Sequence, residues 1–217
     1  TDANGKAEFR LLVPQGIASR ASITATVTDP AGNTSAFSAP VQAPLVTKSW
    51  NSTISGNWGD ATKWTPNGVP GSTDDAVITL AGTYTVTLNV SSQVASLTLG
   101  GTSGTQTLSM SANTLTLDGA STVSSFGALT QNGGTIAGAG NLVVNGPFTW
   151  GGGTQTGSGT TTVNGTLTIS GGGNHDLTSS RTFNTTATTT WSSTGSVRIG
   201  SGAIVNNTGT WDSQNTN

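Results

Sequence analysis

The chain has 217 residues, enough for one large or two modest domains. Only 7% of them are charged and the net charge is −2, so the sequence offers no basic surface for nucleic acid. The chain has no Cys, which excludes disulfides and thiolate metal centres, and no apolar run approaches the ~18 residues of a membrane span. Thr, Ser, Gly and Asn dominate while Glu and Met occur once each, a composition that predicts an all-β protein.

Residues 1–43 carry strand-like alternation followed by a turn signal. The alternating apolar positions are Ala7, Phe9 and Leu11, then Ile23, Ala25 and Val27. The run 29–33, Asp-Pro-Ala-Gly-Asn, predicts a tight turn. The segment from Ile23 to Ser35 resembles the last strands of bacterial immunoglobulin-like repeats of large surface proteins. A complete sandwich needs about 100 residues, so we predict a small β-sandwich-like fragment over 1–43.

A Pro-punctuated linker and a Trp-rich segment follow over residues 44–75. Trp50, Trp58 and Trp64 precede a Pro/Gly-rich stretch and then the run Asp74-Asp75-Ala-Val-Ile. This segment resembles the entry region of bacterial β-helical surface proteins, including autotransporter-like passengers. A stack of coils needs its first edge and its open apolar end covered, so we predict that 44–75 caps such a stack.

Short apolar pairs separated by one small or polar residue recur from residue 76 to 217. They are Leu97/Leu99, Leu115/Leu117, Leu142/Val144, Phe148/Trp150, Leu167/Ile169 and Val197/Ile199, after the alternating runs Ala76/Ile78/Leu80 and Tyr84/Val86/Leu88/Val90. Strands this short, spaced roughly 18 to 30 residues apart, predict the coils of a right-handed parallel β-helix. Asn residues are expected at coil corners, where they accept positive φ or form amide ladders; the examples are Asn145, Asn164, Asn206 and Asn207. The last residues read as one more coil, so we expect the natural protein to continue.

Acid/base side chains are few in the predicted coils. They include Asp118, His175 and Asp176, accompanied by Arg181 and Arg198. Adjacent His175 and Asp176 would point in opposite directions on a strand, and we expect them in the Gly-rich loop that begins at Gly171. Glycoside hydrolysis needs paired carboxylates, so we expect no enzyme, no catalytic residue and no cofactor.

Two groups of oxygen ligands are candidates for calcium. Asp2 and Asn4 resemble the start of a calcium loop, although no Glu follows at the EF-hand distance, and Asp60, Asp74 and Asp75 lie within the predicted cap. The competing interpretation, which we favour, is that these side chains stabilise ordinary turns and a strand entry.

Three Trp residues of the predicted coils are candidates for stacking on a carbohydrate, namely Trp150, Trp191 and Trp211. Large apolar side chains are usually buried, so the alternative is that they fill the interior or cover its ends. We favour that alternative.

Thr-x-Thr strings, such as 83–87, 114–116 and 166–168, raise a further possibility, because a flat Thr array on a solenoid can match ice. The strings lack a constant period, so we expect a ragged array of ordinary solvent-facing Thr.

These features favour a non-enzymatic structural or adhesive segment of a large bacterial surface or secreted protein, located outside the cell. Its expected partners are surface glycans or further copies of itself. One alternative is an extracellular filament subunit that assembles by strand addition. Another is a β-helix module that binds or degrades polysaccharides.

Overall fold

A computed structural model describes residues 22–42 and 46–214 of the chain. The chain divides into two compact units, Thr1–Leu45 and Val46–Asn217. Each unit is described by itself below. The alternating run predicted over residues 7–11 lies outside the described residues.

The described part of the first unit is one β-hairpin. Strand β1 (Ser22–Ile23) pairs antiparallel with β2 (Val41–Gln42), and an isolated bridge joins Thr28 to Thr34. The predicted turn is confirmed, because the Asp29 carboxylate accepts hydrogen bonds from the backbone N–H groups of Ala31 and Asn33 at 2.9 and 2.8 Å. The immunoglobulin-like relationship stays a prediction.

The second unit consists of short strands and one turn of 3₁₀ helix (Ala61–Lys63) in its described part. The strands are β3 (Val46–Trp50), β4 (Gly56–Asn57), β5 (Trp64–Thr65), β6 (Asp74–Ile78), β7 (Tyr84–Thr87), β8 (Ser92–Val94), β9 (Ser96–Leu99), β10 (Gln106–Met110), β11 (Thr114–Leu117), β12 (Ser121–Val123), β13 (Gly127–Gln131), β14 (Thr135–Ala137), β15 (Leu142–Val144), β16 (Phe148–Trp150), β17 (Gly153–Gln155), β18 (Thr160–Val163), β19 (Leu167–Ile169), β20 (His175–Leu177), β21 (Thr182–Thr185), β22 (Thr189–Trp191), β23 (Val197–Ile199), β24 (Ile204–Asn207) and β25 (Trp211–Ser213).

These strands build three sheets that are parallel apart from one capping strand. The first sheet has the order β24-β21-β18-β15-β12-β9-β6-β3-β5, the second β25-β22-β19-β16-β13-β10-β7-β4 and the third β23-β20-β17-β14-β11-β8. Each coil contributes one strand to each sheet in turn, so β6 to β23 form six complete coils. The predicted parallel β-solenoid is confirmed.

The apolar pairs point into the stack, as the pattern predicted. Leu99, Leu117, Val144 and Ile169 are all fully buried, and one column of the first sheet shows the stacking directly. Its members are Ile78, Leu99, Val123, Val144 and Val163. One coil cannot bury its apolar side alone, whereas stacked coils bury a continuous column.

Three apolar positions were predicted wrongly as inward-facing. Leu80 and Val90 are 39% and 38% exposed, because β6 ends at Ile78 and β7 at Thr87, so both side chains lie in the connections beyond the strands. Ile199 is 54% exposed because its strand, β23, belongs to the last complete coil of the described chain.

Differences in coil length are absorbed at the corners between sheets. Equivalent residues in successive coils are separated by as few as 19 and as many as 24 positions, yet the strand register continues. At one corner Asn164 donates a side-chain hydrogen bond to Asn145 at 2.9 Å, which confirms the expected amide ladder there. The expected corner position is wrong for Asn206 and Asn207, which lie in strand β24. Extra residues therefore enlarge connections without displacing strands.

The predicted Trp-rich cap closes the N-terminal end of the stack. The ring of Trp64 lies 5.3 Å from that of Trp50 and 4.9 Å from that of Trp58, both in edge-to-face geometry. All three side chains are buried, and Trp58 donates through Nε1 to the hydroxyl of Ser92 in the first complete coil. The antiparallel strand β5 covers the free edge of β3. Three aromatic rings thus seal the apolar column.

Candidate functional site

The acid/base residues of the coils are dispersed. Asp118 accepts hydrogen bonds from the side-chain amide of Gln93, the nearer at 2.9 Å, on the outside of the third sheet. Asp176 forms a bidentate ion pair with Arg198 of the next coil, with N···O distances of 2.5 and 2.7 Å. Each carboxylate has its own neutral or cationic partner, and the two are not brought together as a carboxylate pair.

His175 lies in strand β20, so its predicted position in the Gly-rich loop is wrong, although His175 and Asp176 do face opposite sides of the sheet. The imidazole is fully buried, with Nε2 at 2.9 Å from the carbonyl oxygen of Trp150 and 3.1 Å from that of Ser170. The ring packs edge-to-face on Trp150 at 5.2 Å. These contacts hold the ring inside the stack and out of contact with solvent.

The Asp176–Arg198 pair permits a direct test of the surface electrostatics. Hydrogen bonding and charge from the guanidinium hold the pKa of Asp176 below its ordinary value. A depressed carboxyl pKa adds stability that is present above the unfolded-state pKa and is lost as the pH falls through the folded-state pKa. We expect Arg198→Gln to raise the Asp176 pKa towards its ordinary value, as followed by NMR titration of the carboxyl carbon.

The same substitution should leave the free energy of unfolding at neutral pH almost unchanged, because both side chains are partly exposed and solvent screens the pair. Arg198→Lys is the matched control, since it keeps the charge but loses the bidentate geometry. An unchanged Asp176 pKa in Arg198→Gln would show that the pair does not form in solution.

Arg181 is a buried cation. The sequence pattern did not indicate that its side chain packs inside the stack. Its side chain is fully buried, and it donates through Nε and Nη2 to the hydroxyl of Thr161 at 3.2 and 2.9 Å. It also donates to the carbonyl oxygen of Gly138 at 3.2 Å. Burial lowers its pKa to about 10. Arg181 therefore ties successive coils together at one corner.

A line of buried polar side chains continues inward from Thr161. The Thr161 hydroxyl donates to Gln155 at 2.8 Å, and the Gln155 amide donates to Gln131 of the preceding coil at 3.4 Å. The only sequence signal for this network was a polar residue at an inward position of the apolar pattern. Buried polar groups that are hydrogen-bonded in this way favour one register of the stack over its neighbours.

The calcium candidates lie apart in local structure. Asp2 and Asn4 are outside the described residues. Asp60 caps the 3₁₀ turn by accepting from Thr62, Asp74 accepts from the backbone N–H of Gly71 at 3.0 Å, and Asp75 accepts from Ser96 at 2.6 Å. Within 22–42 and 46–214 there is no group of three or more metal-ligating side chains. The local hydrogen bonds agree with the turn and strand-entry interpretation.

The carbohydrate candidates occupy two different environments. Trp150 is 2% exposed and stacks between Phe148 and Phe183, so its ring presents no face to solvent. Trp191 and Trp211 are half-buried at the C-terminal end of the described stack, in edge-to-face contact at 6.4 Å. The three rings do not form a common platform.

The outward Thr residues of the second sheet form aligned columns rather than the expected ragged array. One column is unbroken across six coils and contains Thr87, Ser109, Thr130, Thr149, Thr168 and Thr190. The sequence period varies, but β-pairing places each residue directly above its equivalent. The alignment could not be read from the spacing of the Thr-x-Thr strings.

Comparison with known proteins places the chain in no family: no family model, curated protein or solved structure matches it. Among the described residues, no helix is both long and apolar enough to cross a membrane.

Proposed function

We propose that the chain is a non-enzymatic structural and adhesive segment of a large bacterial surface or secreted protein, acting outside the cell as a stiff shaft. The observation that supports this role is the stack of six coils in continuous parallel register, closed at its N-terminal end by three Trp rings. No cofactor is part of the proposal, and its expected partners are surface glycans.

Stiffness follows from how the stack is bonded. Each strand of a middle coil pairs on both sides along the axis, and the apolar column runs through all the coils. Six coils about 4.8 Å apart give an axial length of roughly 30 Å. Bending the shaft would break backbone hydrogen bonds on one side and open the packed column, so rigidity is built into every coil.

The shaft role predicts one narrow distance between the two ends of the stack. The chain has no Cys, so thiol-reactive spin labels attach only where Cys is introduced. In a Thr53→Cys/Gln214→Cys double variant both labels lie at exposed positions near the two ends of the stack. We expect pulsed electron paramagnetic resonance to give a single narrow distribution at roughly 30–40 Å. The same sample in denaturant is the control for a broad distribution.

A broad or bimodal distribution of the label–label distance under native conditions would contradict a stiff shaft.

Glycan-array binding by the intact chain tests adhesion, and a reducing-sugar assay on the same glycans tests the competing polysaccharide-degrading role. Release of sugar ends would overturn the non-enzymatic proposal.

The filament alternative requires that strands at the two ends of the stack pair with those of another copy. Strands β23, β24 and β25 each pair on one side only, and Ile199 and Ile204 are 54% and 52% exposed beside them. The opposite end is covered by β5 and the Trp rings, which disfavours head-to-tail strand addition. Sedimentation velocity separates the possibilities, because a filament grows with concentration, whereas end-to-end pairing through the open edge stops at a dimer.

A further inference from the structure

The outer surface of the second sheet carries two parallel columns rich in hydroxyl groups. The first contains Thr87, Ser109, Thr130, Thr149, Thr168 and Thr190, and it ends at Asp212. The second lies two residues earlier in the chain at each level, on the strand or immediately before it, and contains Thr85, Thr107, Ala128, Pro147, Thr166, Thr188 and Thr210. We name these two columns the hydroxyl face. Its side chains alternate with buried ones along each strand, so they point to solvent.

From Thr87 to Thr190 the hydroxyl face is neutral, contains no aromatic ring and carries a hydroxyl group at almost every position, and Asp212 is the next residue of its first column. The corresponding column of the third sheet carries the ion pair Asp176–Arg198. That of the first sheet is mixed, with Val143, Asn184 and Asn206 among its Thr residues. A neutral, hydroxyl-lined surface is complementary to a neutral ligand that repeats hydroxyl groups at similar intervals.

The geometry of the face is regular in two directions. Successive coils set the hydroxyl groups of one column about 4.8 Å apart, and a separation of two residues along a strand sets the columns about 6.7 Å apart. Both intervals are close to oxygen–oxygen repeats in the lattice of hexagonal ice. Within the six complete coils only Ala128 and Pro147, both in the second column, lack a hydroxyl group. The first column carries a hydroxyl group in each of these coils.

The face is also preorganised. The branched β-carbon of Thr restricts its χ1 angle, and parallel neighbours on both sides hold the backbone of each middle strand. Fixed hydroxyl and methyl groups lose little conformational entropy when an ordered surface forms against them. Many weak contacts can then act together.

We propose that the hydroxyl face binds ice, with its Thr hydroxyl and methyl groups ordering the contacting layer of water into the crystal lattice. A crystalline polysaccharide is the competing occupant, but sugars characteristically stack on aromatic rings and neither column offers one. This inference goes beyond the shaft role and does not depend on it.

The test measures thermal hysteresis and enrichment of the fluorescently labelled intact chain in a slowly growing ice hemisphere. We expect enrichment and faceted crystal growth for the native chain. Thr149→Tyr, in the middle of the face, should lower enrichment about tenfold, equivalent to about 1.4 kcal/mol of binding free energy. Thr162→Tyr, at an outward position of the first sheet, is the matched control and should bind ice as the native chain does.

A second variant guards against an effect on folding. Thr168→Lys places a charge on the face at a solvent-facing position, and circular dichroism should show the native fold while enrichment falls. Exclusion of the native chain from ice, or equal losses in Thr149→Tyr and Thr162→Tyr, would overturn the proposal. Retention of the native chain on insoluble cellulose or chitin, abolished by Thr149→Tyr, would identify a polysaccharide as the occupant and equally overturn it.

Discussion

Replacing Trp64 by Ala is expected to lower the free energy of unfolding by about 4 kcal/mol, the range for deleting a large buried aromatic side chain. The Trp64 ring is 1% exposed and lies between the rings of Trp50 and Trp58. Its Nε1 also donates to the Trp58 carbonyl oxygen at 2.8 Å. The substitution would remove the centre of the cap and open the end of the apolar column to water.

The position along the stack at which Trp64→Ala loosens the structure is as informative as the total loss of stability. A solenoid coil contacts only its neighbours, so hydrogen exchange should quicken first in β6 to β8 and least in β21 to β23. Trp64→Phe keeps a ring in the cluster and is the matched control, with an expected loss of about 1–2 kcal/mol. Uniform acceleration of exchange along all the coils would contradict a local capping role.

Replacing Gly146 by Ala is expected to destabilise the stack by about 3 kcal/mol through overpacking. A β-carbon at Gly146 would overlap the backbone oxygen of Gly127 in the coil beneath and lie 2.6 Å from that of Ser124. Neither atom belongs to a flexible side chain, so the two coils would have to separate. Gly165 meets the backbone of Gly146 in the same way, which makes this corner a column of close backbone approaches.

Gly200→Ala is the control for the corner substitution, because no atom lies within 4 Å of a β-carbon there. We expect its effect on stability to stay within about 0.5 kcal/mol, since only the conformational freedom of the unfolded chain changes. Urea unfolding followed by circular dichroism compares the two variants with the native chain. Equal midpoints for Gly146→Ala and Gly200→Ala would show that the coils are not in close contact at this corner.

Much of the fold was predictable because it depends on local properties of the chain. Alternation of apolar and polar residues identified the inward positions of Leu99, Leu117 and Val144, and the three Trp residues marked the cap before the first complete coil. The turn at residues 29–33 followed from the conformational preferences of Pro, Gly and Asn. The composition had already excluded a helical protein.

The candidate sites were less accessible to such reasoning. The sequence named Trp150 as a possible sugar platform, but only packing shows that its ring is enclosed by Phe148 and Phe183. It offered Arg181 as an isolated basic residue, and only the fold places the guanidinium over Thr161. Both outcomes depend on contacts between residues of different coils, which the order of residues along the chain does not show.

What the sequence by itself determined is therefore the coil: short strands, small turns, inward apolar pairs and an aromatic cap, all encoded by neighbouring residues. Which residue stands above which was decided only by the tertiary structure, because pairing between coils of unequal length is set by hydrogen bonds along the axis. That pairing turned irregularly spaced Thr residues, from Thr87 to Thr190, into one straight column. The hydroxyl face exists for that reason alone.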